Sequence, residues 1–123
     1  MKILVVEDEQ VLAKVFQEKF EKLHYDVKVA SDGEVALSIA KSFVPDAIVL
    51  DLVLPKKSGF DVLAEIKSVD SLKTIPVVVV SNLGEDEDIK KAISLGAVDY
   101  FVKAQHPINE IVDKIKSVII KSK

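Results

Sequence analysis

Short apolar runs alternate with longer amphipathic stretches along the whole chain. Lys2 to Val6 predicts a first strand, closed by the acidic turn Glu7-Asp8-Glu9, and Leu12, Val15, Phe16, Phe20 and Leu23 then recur at helical spacing. Asp26 to Ala30 predicts a second strand and Asp32-Gly33 a turn and cap. Val35, Ala36, Ile39, Ala40 and Phe43 form the inner stripe of a second helix, whose connection ends at Pro45. Ala47 to Leu54 is apolar except for Asp51, so it predicts a buried strand with one carboxylate at its C-terminal edge. Pro55, which has no N–H for a ladder, and the permissive Gly59 turn the chain there. Ser58 caps a third helix with Val62, Leu63, Ile66 and Val69 inward.

Four consecutive valines, Val77 to Val80, predict a strand covered on both faces, closed by Ser81-Asn82. The acids Glu85 to Asp88 suit the first turn of a fourth helix, because they complement its dipole, and Gly96 ends it. Val98 to Val102 predicts a fifth strand finishing at Lys103. Pro107 begins a last helix with Ile108, Ile111, Val112, Ile115, Val118 and Ile119 inward, and Lys121 and Lys123 suit its C-terminal end.

Five strands alternating with five helices predict an α/β fold, a flavodoxin-like doubly wound parallel sheet in the order 2-1-3-4-5. The 123 residues fit one domain, 1–123, without repeat or linker. With 49% hydrophobic and 30% charged residues the chain is globular. No apolar run is long enough to span a bilayer and no signal peptide precedes Glu7, so we expect a cytoplasmic protein. The absence of cysteine excludes disulfides and thiolate metal sites. All 17 basic residues are lysine and the net charge is −3, which argues against direct nucleic-acid binding.

Ligands of such sheets bind beyond the carboxyl ends of the strands, which here carry Glu7, Asp8, Asp51, Ser81 and Lys103. The first and third strands are neighbours at the switch point, so Glu7, Asp8 and Asp51 converge. Three carboxylates repel one another, and a hard cation such as magnesium resolves the conflict. A cation, a lysine and a hydroxyl are what a transferring phosphoryl group requires, and a carboxylate can be its acceptor.

From Lys2 to about Ile119 the chain resembles a response-regulator receiver domain of two-component signalling. Asp51-Leu52-Val53-Leu54-Pro55-Lys56-Lys57-Ser58-Gly59 fits the pattern D-x-x-x-P-x-x-x-G, and the acid pair, hydroxyl residue and lysine follow in order and spacing. The resemblance implies that Glu7 and Asp8 bind Mg2+ with Asp51 and the backbone carbonyl of Val53. It implies that a histidine kinase or phosphotransfer protein phosphorylates Asp51, assisted by Ser81 and Lys103. The implied switch is rotation of Ser81 coupled to Tyr100, altering the face of the fourth helix, fifth strand and fifth helix for a downstream target or output domain. On this reading the chain is a signalling module rather than an enzyme, catalysing only its own phosphorylation and dephosphorylation, and is a monomer or a phosphorylation-dependent dimer.

Ala104 stands where the family usually has proline after a cis bond, so we expect a trans peptide and a different loop there. Glu7 and Ser81 replace the commoner aspartate and threonine conservatively. The resemblance implies that Val53 and Leu83 stand at the two positions that flank the path of attacking water in this family; neither can deprotonate it, which predicts a long-lived phosphoryl group. His24 and His106 read as surface residues. Other readings compete. The chain could be a receiver excised from a larger DNA-binding regulator, or an aspartate-nucleophile phosphatase, although Val53 stands where such enzymes place their acid/base aspartate. An electron carrier like flavodoxin fits less well, because the acids after the first strand would repel a flavin phosphate.

Overall fold

A computed structural model describes residues 1–122; Lys123, expected at the end of the last helix, lies outside the described residues. Five strands, β1 (Lys2–Val6), β2 (Asp26–Ala30), β3 (Ala47–Leu50), β4 (Val77–Ser81) and β5 (Asp99–Val102), form one sheet in the order β2-β1-β3-β4-β5. All four pairings are parallel. The helices between them are α1 (Gln10–Lys22), α2 (Gly33–Phe43), α3 (Gly59–Ser68) and α4 (Asp86–Ser94), with α5 (Ile108–Ser122) after the last strand. The flavodoxin-like doubly wound sheet is the one that the alternation predicts.

The alternation of side chains along each strand divides the core into two layers. On one face Ile3, Val5, Val49, Val78 and Val80 pack against Phe16 and Phe20 of α1 and Ile111, Ile115 and Ile119 of α5. On the other, Leu4, Val6, Ile48, Leu50 and Val79 pack against α2, α3 and Ala92 of α4. Burial on both faces is why β3 and β4 read as continuous apolar runs rather than as alternating ones.

Three expectations need correction. The apolar run from Ala47 does not stay in the sheet to Leu54: β3 ends at Leu50, and Val53 lies in the following turn, 56% exposed. Val35 does not belong to the inner stripe of α2, being 41% exposed; Gly33, Ala36 and Ala40 are buried instead. The face is set by Gly33, where a Cβ would come within 2.2 Å of the Lys57 carbonyl oxygen. That close approach of the β3–α3 loop turns the face holding Gly33, Ala36 and Ala40 inward and Val35 outward. The fifth strand begins at Asp99 rather than Val98, whose N–H donates to the Val77 carbonyl as the chain enters the sheet. The caps form as read: Asp32 Oδ1 accepts from the Val35 N–H at 2.9 Å, and Ser58 Oγ from the Asp61 N–H at 3.2 Å.

Candidate functional site

The register of β1 against β3 places the site. Val6 pairs with Leu50, and the Asp51 N–H donates to the Val6 carbonyl at 3.0 Å, so Glu7 and Asp51 leave adjacent strands at the same height. Glu7, Asp8 and Asp51 each offer one carboxylate oxygen, and these oxygens lie within 4.8 Å of one another. Glu7 and Asp51 are 3% and 4% exposed, whereas Asp8 faces solvent. Gly59 makes room for the turn that follows: its N–H donates to the Leu52 carbonyl at 2.9 Å.

The remaining strands supply the other groups. Ser81 ends β4 fully buried, its Oγ accepting from the Leu83 N–H at 3.3 Å. Tyr100, paired with Val79 across β4 and β5, donates its hydroxyl to the Leu83 carbonyl. Lys103 follows β5 and reaches back across the sheet end. Its Nζ lies 2.8 Å from Glu7 Oε1, 2.9 Å from Asp51 Oδ2 and 3.0 Å from Glu9 Oε2. Asp51 Oδ1 accepts from the Val53 N–H at 3.2 Å, so both oxygens of this carboxylate are held.

Charge at this rim is unbalanced, with Glu7, Asp8, Glu9 and Asp51 facing the single ammonium of Lys103. Burial pushes the Glu7 carboxyl up from 4.5 to about 7, with the Asp51 charge adding and the Lys103 hydrogen bond opposing. Burial alone would lower Lys103, but its hydrogen bonds to Glu7, Asp51 and Glu9 outweigh this and hold it above the ordinary lysine value. Burial and then the Asp88 charge push the Tyr100 phenol up, with the nearby Ser81 hydroxyl opposing.

Glu7 makes stability depend on pH with a definite sign. Because its folded-state pKa is raised from 4.5 to about 7, the folded chain holds this proton more tightly, and the benefit is present below 4.5. It is lost as the pH rises through about 7. We expect this group to lower the unfolding free energy by at most about 3 kcal/mol over that range. Urea melts of wild type and Glu7→Gln across the range check this, since the glutamine variant lacks this contribution to the slope.

The donor set fits a hard divalent cation. Its three ligand atoms are all carboxylate oxygens, Asp8 leaves one side open to water, and the excess negative charge needs compensation. The rim thus combines the makings of a metal site with a fixed carboxylate, a lysine and a hydroxyl residue.

The structure brings Glu7, Asp8, Asp51 and Lys103 together; Ser81 ends the neighbouring strand β4, and Tyr100, the second residue of β5, reaches the loop after β4 through the Leu83 carbonyl. Sequence reading missed Glu9, which reaches Lys103; the only signal was that the acidic run has three members. His106 is half-buried rather than on the open surface, its ring edge-on to Phe101 at 4.9 Å and its Nδ1 3.1 Å from Glu110 Oε1. After Lys103 the chain makes a short 3-10 turn, Lys103–Gln105, and no peptide bond among the described residues is cis. Beside this turn, an open groove of about 670 Å³ runs between α1 and α5, lined by Val11, Leu12, Phe16, Ile108 and Ile111.

Residues 3–116 match the response regulator receiver domain family. The chain is 36% identical over 121 residues to the alkaline phosphatase synthesis transcriptional regulatory protein PhoP of Bacillus subtilis, covering 98% of this chain and 49% of that one. It is likewise 36% identical over 118 residues to the probable transcriptional regulator ycf27 of Guillardia theta, covering 96% and 45%. The chain therefore spans about half the length of these curated relatives. Among solved structures, a Francisella response regulator receiver domain superposes with TM-score 0.91 at 28% identity, covering 99% of this chain and 98% of that one. The phosphorylated cyanobacterial phytochrome response regulator RcpA does so with TM-score 0.85 at 34% identity, covering 99% and 95%. The Mn(2+)-bound response regulator Rcp1 gives TM-score 0.77 at 29% identity, covering 98% and 88%. The sheet order, the acidic rim and these matches together make the chain a member of the response regulator receiver domain family of two-component signalling.

Proposed function

We propose that this receiver accepts a phosphoryl group on Asp51 from a histidine kinase or a phosphotransfer protein and signals through the face formed by α4, β5 and α5. The observation that carries this reading is the grip on Asp51, with one oxygen held by the Val53 N–H and the other by Lys103 beside two further carboxylates. An Asp51 oxygen attacks phosphorus, the bond from phosphorus to the donor's imidazole nitrogen breaks, and the departing nitrogen takes up a proton. Lys103 holds the acceptor oxygen in place and offers positive charge to the phosphoryl oxygens. Glu7, Asp8, Asp51 and the Val53 carbonyl would hold magnesium, which when bound offsets the negative charge gathering at the rim. The Mn(2+)-bound and phosphorylated relatives support the reading.

The phosphoryl group adds a charge of roughly −1.5 to −2 beside Ser81. Ser81 turns its hydroxyl toward that group, and Tyr100, tied to the same loop at Leu83, carries the change outward. Ile93 and Val98 lie exposed on that side and suit a protein partner or a second copy. The regulators that share this domain are about twice as long, which supports an output domain elsewhere in the same protein or docking on a separate target. A cytoplasmic location suits this role, and no helix of the described residues is long and apolar enough to cross a membrane.

Acetyl phosphate with magnesium is expected to add one phosphoryl group, seen by intact mass, and chelation of the metal is expected to suppress the addition. No uptake with magnesium present contradicts the reading. The side chains of Val53 and Leu83 have no group able to orient or deprotonate water, so a half-life well beyond a few seconds is expected. Decay within a few seconds contradicts that part.

A further inference from the structure

The Lys103 ammonium donates to Asp51 Oδ2 at 2.9 Å and to Glu9 Oε2 at 3.0 Å, and lies 2.8 Å from Glu7 Oε1 as an ion pair, so three carboxylates already surround it. A phosphoryl group on Asp51 arrives within reach of this ammonium, and its oxygens need a donor from it. Those oxygens compete for the ammonium with the carboxylates already around it. Glu7 cannot give way readily, because it is buried and its other oxygen accepts from the Glu9 N–H at 3.1 Å. Asp51 is the acceptor itself. Glu9 is different: its side chain is 56% exposed, and although it stands at the N-cap position of α1 it makes no capping bond. Leaving Lys103 breaks no capping contact, and the freed carboxylate stays near the positive end of the α1 dipole.

We propose that Glu9 is a positioning residue that competes with the phosphoryl group for Lys103, so that its carboxylate holds the unphosphorylated site closed and sets how readily Asp51 is phosphorylated. The inference rests on the reading of Asp51 as phosphoacceptor. The chemistry of transfer is unaltered: with acetyl phosphate, the bond from phosphorus to acetate breaks as the bond to Asp51 forms, and acetate leaves with the electron pair. Glu9 affects only the cation that this phosphoryl group meets.

The test compares phosphorylation rates from acetyl phosphate for wild type, Glu9→Gln and Glu9→Asp, all at saturating magnesium so that changes in metal affinity drop out. Thermal melts first establish that the variants are folded, which the exposure of Glu9 favours. Glu9→Gln is expected to react about two- to fivefold faster at low ionic strength, the range set by one exposed ion pair. Glu9→Asp keeps the charge but is one methylene too short to hold Lys103, and it should fall between the two. The advantage of Glu9→Gln should shrink toward unity in about 1 M salt, where screening reaches about 3 Å. Glu9→Gln reacting no faster than wild type overturns the proposal, as does an advantage indifferent to salt or a Glu9→Asp rate equal to wild type. If wild type itself takes up no phosphoryl group, the reading of Asp51 fails instead, and the proposal falls with it.

Discussion

Asp51→Asn protein is expected to take up no phosphoryl group from acetyl phosphate under conditions that label wild type fully. The amide is close to the carboxylate in size, and its oxygen can still accept from the Val53 N–H, so the turn into α3 remains. Its electron pair, however, is too weak a nucleophile to displace a leaving group from phosphorus. The substitution also removes one of the negative charges crowding Lys103, so unfolding is not expected to be the reason for lost labelling. Intact mass read alongside a urea melt separates the two. Labelling of a folded Asp51→Asn protein at the wild-type rate would mean that another side chain is the acceptor.

The second large effect is structural and comes from Gly59. A Cβ there would lie 2.1 Å from the Asp51 carbonyl oxygen and 2.5 Å from the Leu52 Cα, both backbone atoms at the end of a buried strand. Neither can move without dragging β3 or the start of α3 with it. Gly59→Ala is expected to cost about 3 kcal/mol of stability, the upper part of the range for overpacking. That is a large share of the roughly 5–15 kcal/mol available to a domain of this kind. The folded fraction should also phosphorylate more slowly, because the displaced atoms belong to Asp51 itself. Denaturant unfolding decides it, and a loss below about 1 kcal/mol would mean that the turn relaxes freely.

Much of this was legible in the residues. The runs at Val77 to Val80 and Ala47 to Leu50 state their burial on both faces directly, and two-sided burial requires helices above and below the sheet. The strand order 2-1-3-4-5 of doubly wound sheets with this alternation then makes the ends of β1 and β3 neighbours, which brings Glu7, Asp8 and Asp51 together. Local close approaches were not legible. Val35 sits at a spacing that suits the α2 stripe, but the face of that helix is decided by Gly33 lying against Lys57, a contact 24 positions away in sequence. Glu9 was overlooked for a related reason: in sequence it is the third acid of a turn, and only the reach of Lys103 back from β5 gives it a partner. His106 likewise gains its surroundings from Phe101 and Glu110 rather than from any pattern around it.

The claim that Asp51 carries the phosphate is tested most directly by chemical trapping. Wild-type protein treated with acetyl phosphate and magnesium is reduced with borohydride, which converts an aspartyl phosphate to homoserine, and the digested peptides are sequenced by mass. Homoserine at position 51, absent when magnesium is chelated, is the expected result. Homoserine at position 8, or none at all in protein whose intact mass shows the added phosphoryl group, would contradict it.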